Sequence, residues 1–156
     1  MKTFRLQFIT SHLQFYISDK NSPFVSDSNH FWTDEASSAK LALEEGLLGI
    51  GIFSYDNANI ELRLLDAAPV IDLSASDHVV EGSVALPSGV LCISSCDDAV
   101  TYLETEVIPG IHRARISSKN LDSIKDEYES SDDFYLVEMW PENAARNRSV
   151  LKAYVQ

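Results

Sequence analysis

The sequence predicts a mainly β protein, an antiparallel β-sandwich of jelly-roll-like form with one short α-helix. Three observations predict it. Apolar and polar residues alternate with period two through most of the chain, the mark of strands with one buried face. These segments recur at roughly 8–12-residue spacing, separated by Pro, Gly and Asn turn signals. Only one window, after Phe31-Trp32, carries a helix start signal. The 156 residues read as a single domain, 1–156, with no internal repeat and no linker that would divide it.

Phe4, Leu6 and Phe8, then Leu13, Phe15 and Ile17, alternate with polar neighbours, so Thr3 to Ser18 reads as two strands or one long bent strand. The Ser-, Asn- and Asp-rich stretch from Asp19 to Asn29, with Pro23, reads as a loop. Thr33 or Asp34 then caps a helix. Asp34 and Glu35 suit its first turn, Ala36, Ala39, Leu43 and Leu47 form its apolar stripe, and Gly46 is its expected stop. Leu47 to Phe53 follows as a buried strand, where Gly49 and Gly51 share a face and predict the close approach of another element. Trp32 and Phe31 are expected to staple the helix onto the sheet; an exposed Trp32 would instead be an anchor in a binding face.

After a turn at 55–59, Ile60, Leu62 and Leu64 mark the next strand. Asp77 to Ser95 reads as a hairpin, with Val80, Gly82, Val84 and Leu86 on one face and a reversal at Pro87-Ser88-Gly89. Tyr102 to Val107 and Ile111 to Ser117 read as a second hairpin around Pro109-Gly110. The rows Arg113/Arg115 and Glu81/Glu138 look like the solvent faces of strands, with cross-strand ion pairing open to them. A polar, acidic loop from Lys119 to Asp133 precedes a strong strand, Phe134 to Trp140, stopped by Pro141. Trp140 is placed in the core, and Arg148 to Val155 adds a short edge strand.

A net charge of −12 argues against direct binding of nucleic acid or an anionic membrane, because phosphate attraction needs clustered Lys and Arg. It permits a basic protein partner, or serves solubility alone. No run of apolar residues approaches a membrane span or a signal peptide core. Cys92 and Cys96 are the only cysteines. Their spacing is neither a disulfide framework nor a redox or zinc knuckle, so a reduced, cytoplasmic protein is expected, with Cys92 a packed hydrophobe.

No nucleophile elbow, phosphate loop or zinc signature is present, and no cofactor or metal is expected. The polar residues without an evident packing role are Asp77, His78 and Glu81 at the start of a strand. With Trp32, Asp132 and Asp133 they form the candidate binding set. Asp132-Asp133 reads either as a hard-cation pair or as the solvated end of an acidic loop. A metal-dependent hydrolase built on Asp77, His78, His112 and Asp133, or a metal held by histidines with Asp97-Asp98, would require convergence that spacing cannot show. A small-ligand pocket between the sheets is a further possibility.

Two stretches carry a resemblance. HLQFYISD, a polar loop, FWTDEA and then GIGIF resemble the competence protein J family, which includes an inhibitor of a DNA-entry nuclease. SDHVVEGSVALPSGVLCISS, IPGIHRARISS and SSDDFYLVEMWP resemble a widespread group of uncharacterised bacterial proteins, in which His112 stands where an aromatic is usual. The first resemblance implies a protein that binds and blocks an enzyme, conceivably a nuclease or toxin, rather than one that catalyses.

Overall fold

Strand alternation sorts the chain into two sheets packed face to face. The computed structural model describes residues 1–10, 12–22, 28–55, 57–95, 100–126 and 129–155. In chain order these form β1 (Lys2–Ile9), β2 (Gln14–Asp19), a helical turn α1 (Ser28–Phe31), α2 (Asp34–Ala39), β3 (Leu41–Glu44) and β4 (Leu47–Gly51). Next come β5 (Asn57–Leu64), β6 (His78–Leu86), β7 (Val90–Ser95) and β8 (Thr101–Glu106). Then follow β9 (Gly110–Lys119), a 3-10 turn (Leu121–Ser123), β10 (Phe134–Pro141) and β11 (Ser149–Lys152). One sheet has six strands in the order β1-β5-β10-β9-β6-β11, and the other five, β3-β4-β2-β7-β8. The pairing is antiparallel except for β5 against β10, which run parallel.

The core lies between the sheets. Phe8, Ile60, Val80, Ala114 and Val137 from one sheet meet Phe15, Ile17, Leu48, Ile50 and Ile93 from the other. Gly82 lets the layers close: a Cβ there would lie 2.7 Å from Leu41 Cδ2.

The helix is shorter than the sequence predicts. It starts as expected, with Thr33 Oγ1 accepting from Ala36 N at 3.1 Å. It ends at Ala39, because Lys40 turns left-handed (φ 62°) and its N–H bonds back to Ala36 and Ser37 carbonyls. Leu41–Glu44 is therefore a strand, paired with β4 around Gly46. The sequence LALE alternates only briefly and suits either state; pairing with the all-buried β4 decides it.

Neither predicted hairpin pairs its own arms. β6 belongs to the six-stranded sheet and β7 to the other, and β8 and β9 divide in the same way. Instead β6 pairs with β9 as far as Leu86↔Gly110, and β7 pairs with β8 from Val90↔Glu106. One long ribbon thus bends from sheet to sheet. Its two corners, 87–89 and 107–109, lie side by side, with Val107 N donating to Gly89 O at 2.9 Å. Gly89 (φ 73°) sits so close to Pro109 that a Cβ would meet its Cγ at 3.0 Å. Asp19 secures the corner, its Oδ1 accepting from Ser88 N (3.0 Å) and Ser88 Oγ (2.5 Å).

The outward row of β6 and β9 is not a solvent face. Arg113, Arg115 and Glu81 are 1%, 5% and 5% exposed. Glu81 accepts from Arg113 Nε at 3.2 Å and from Arg115 Nε at 2.8 Å. Two straps cover them: Arg115 donates to the carbonyls of Pro69 and Val70, and Arg113 to those of Arg146 and Asn147. Trp140 is buried on this same outer face, with the Arg115 guanidinium 5.2 Å from its ring centre. Its burial is as expected; it packs outside the intersheet core. The edge strand β11 is also as expected, beside β6.

Candidate functional site

Asp77, His78, Asp132 and Asp133 come together at one end of the six-stranded sheet, where β6 begins, β9 ends and β10 begins. The register places His78 opposite Ser118, and Phe134 opposite Lys119. Asp77 N donates to Ser118 O at 2.8 Å, while its Oδ2 accepts from Leu121 N at 2.9 Å and caps the 3-10 turn. Asp77 therefore has a structural partner, as does each buried residue of the set.

His78 is buried between the sheets. Its Nε2 donates to Ala39 O (2.8 Å) and its Nδ1 accepts from Tyr154 N (3.2 Å), an arrangement that requires the neutral Nε2–H ring. Burial, with the Lys40 charge nearby, holds its pKa below the ordinary imidazole value.

Asp133 corrects the picture of a solvated loop, being 1% exposed. Its Oδ2 accepts from Ser54 Oγ (2.9 Å) and Tyr135 OH (2.7 Å), and its Oδ1 from Ser131 Oγ (2.5 Å). Tyr135 OH in turn accepts from Phe53 N at 2.9 Å, so the group ties the β4–β5 link to β10. Burial, then the bond to Asp133, raises the Tyr135 pKa and keeps it a donor.

Asp132 behaves differently. Its backbone is fixed, N to Ser123 Oγ and O to Asn120 Nδ2, and the residue is exposed. Around it the same end exposes Asp72, Asp122, Asp126 and Glu129 beside Lys119, Lys125 and Lys152. Asp122 accepts from Tyr154 OH at 2.7 Å, which raises the phenol's pKa. Paired Ser74 donors hold the Asp72 carboxyl below the usual range. The rim can present fixed negative charge to a partner.

The other candidates lie elsewhere. Glu81 sits in the Arg113–Arg115 pair, and Trp32 packs on the outer face of the five-stranded sheet with Tyr16, Phe31, Ala36, Ala42 and Leu47. That is the expected staple, and Gly49 makes room for it: a Cβ would lie 2.7 Å from Phe31 and 2.9 Å from Trp32.

His112 bonds Ile108 O (2.7 Å) at the opposite end of β9, so it does not join the other three hydrolase candidates. Among the described residues no three His, Cys, Asp or Glu groups are placed so that they could hold a metal ion together. Cys92 is a buried thiol, pushed up in pKa by that burial. Cys96 and the Asp97-Asp98 pair lie outside the described residues. Asp19, Tyr135 and Tyr154 were silent in the sequence, because their partners lie 69, 82 and 32 residues away.

With this geometry in place, two solved structures match the chain. ComJ from Bacillus subtilis, an inhibitor of the DNA-degrading activity of NucA, aligns with a TM-score of 0.66 over 89% of this chain and 96% of its own, at 20% identity. The chain shares its fold with ComJ. The product of crocagin biosynthetic gene J aligns with a TM-score of 0.60 over 91% of this chain and 98% of its own, at 15% identity. No family model and no curated protein sequence matches. The ComJ likeness is one of fold, and it extends the resemblance seen in HLQFYISD and FWTDEA to nearly the whole chain. Among the described residues no helix is long and apolar enough to cross a membrane.

Proposed function

We propose that the chain is a non-catalytic binding module that docks a basic protein, a nuclease or nucleic-acid-cleaving toxin, and blocks it. The observation that carries this reading is the exposed acidic rim of Asp72, Asp122, Asp126, Glu129 and Asp132, of which Asp122 stands on the turn that Asp77 caps. A chain of net charge −12 repels nucleic acid itself but attracts an enzyme whose surface is built to hold it. The inhibitory role of the ComJ relative supports the same choice. Asp77, His78 and Asp133 hold the rim in place, and Asp132 touches the partner. Glu81 and Trp32 lie outside the docking end.

The test is the DNA-degrading activity of a basic nuclease from the same cells, titrated with the chain at low and high salt. Inhibition that is strongest at low salt supports the reading, since screening weakens charge-driven docking. Undiminished DNA degradation at every salt concentration overturns it.

A further inference from the structure

A recess of about 260 Å³ opens on the outer side of the five-stranded sheet, between the turn that leads into β2 and the end of α2. His12, Leu13, Gln14, Trp32, Ser37, Lys40 and Gly51 line it. Its walls are backbone in an unfavourable conformation. His12 (φ 57°), Leu13 (φ 56°) and Lys40 (φ 62°) are three of the four described non-glycine residues with positive φ, Asn120 being the other. Each such residue costs on the order of 1–3 kcal/mol, and such strain concentrates at ligand sites.

Among the described residues Lys40 is a cation without a counter-ion. Its stem lies over Gly51, where a Cβ would meet Lys40 Cδ at 3.0 Å. Its Nζ stands 4.5 Å from the centre of the Phe53 ring, and among the described residues no carboxylate pairs with it. Burial alone lowers its pKa, the expected response of an ammonium removed from water and left unpaired. Trp32 also lines the recess, and its indole N–H is buried with no acceptor among the described residues. A buried donor left unpaired costs about 1–3 kcal/mol.

Lys40, Ser37 and Trp32 thus line one recess, and the Lys40 ammonium has no carboxylate partner among the described residues. We propose that it binds a small monocarboxylate, the carboxylate on Lys40 and the apolar body against Trp32 and Leu13. The strongly acidic surface selects for the single charge, because a polyanion would be repelled before reaching the recess. The inference is independent of the docking reading, which uses the end of the other sheet.

Benzoate is a suitable probe, followed by the NMR signals of the two indole N–H groups. Trp140 is the internal control, its Nε1 bonded to Glu142 at 3.3 Å on the far sheet. The expected result is a saturable shift of the Trp32 signal with Trp140 unmoved and no competition from inorganic phosphate. Lys40→Asn, which tolerates the left-handed backbone, should weaken binding about tenfold or more, the loss of one charge-assisted contact. Lys40→Arg should retain it. If Lys40→Asn fails to fold by circular dichroism, Ser37→Ala serves in its place and should weaken benzoate binding severalfold. A static Trp32 signal, equal affinity in the variant, or displacement by phosphate overturns the proposal.

Discussion

On the outer face of the six-stranded sheet, Glu81 takes two buried guanidiniums, whose remaining N–H groups reach Ser83 and the carbonyls of two straps. On the outer face of the five-stranded sheet, the segment of α1 and α2 lays Phe31, Trp32 and Ala36 over Ala42 and Leu47. The first face buries charge and satisfies it. The second buries apolar surface and leaves Lys40 and the Trp32 indole without polar partners among the described residues. Sandwiches must cover both outer faces or leave them polar, and here the two solutions separate roles. A closed ionic cluster is architecture; an apolar lid with stray donors leaves room for a ligand.

Breaking the ionic face has the largest expected effect. Glu81→Gln leaves two guanidiniums buried with no countercharge, which should cost about 3–5 kcal/mol, measured by urea unfolding. A loss within the error of that measurement would show that the straps open and let water in. A second centre on the same face, Glu61 with Arg5 and Arg63, is the internal comparison. Burial pushes the Glu61 carboxyl up, but bonds from Arg5 and Arg63 outweigh it and hold it low. Because Arg5 is 83% exposed, water can reach the charges released there, and Glu61→Gln should cost less than Glu81→Gln.

The apolar face is tested by Gly49→Ala. Its new Cβ would fall within 3 Å of both Phe31 and Trp32 and must displace the helix. The expected loss is about 1–3 kcal/mol, with a change in the Trp32 environment. Unchanged stability and fluorescence would mean that the lid is loosely held.

The smallest effect lies between the sheets, at His78, whose bond to Ala39 ties the helix end to β6. Its folded pKa is lowered below 6.5, so the unfolded chain takes up the proton first. Its contribution is whole above about pH 6.5 and is lost as pH falls through the folded value. Urea midpoints should decline over that range more steeply than in His78→Asn, and parallel profiles would refute the assignment.

Much of this was legible in the sequence, and the failures have physical causes. Alternation in FRLQF, NIELRL and FYLVEMW shows strands, and Gly49 and Gly51 announce the crowding by the helix. The helix ran too long because LALEEGLL also fits helical spacing, and a lysine rather than a glycine makes the left-handed stop. Turn signals at Pro87-Ser88-Gly89 mark a change of direction but not the sheet to which the next strand goes. The burial of Arg113 and Arg115 could not be read, since the covering carbonyls lie 33 and 46 residues away. At the candidate site, the lack of a packing role singled out Asp77 and His78. Only three dimensions showed that Asp133 is internal and Asp132 external.

The most direct test of the docking account is capture of a basic nuclease by the wild-type chain and by Asp122→Lys/Asp132→Lys, each at low and high salt. Both residues are exposed, so the fold should survive the change. The account predicts capture by the wild type at low salt, release at high salt, and weakening of at least about tenfold in the variant. Equal capture by both chains, independent of salt, would contradict it.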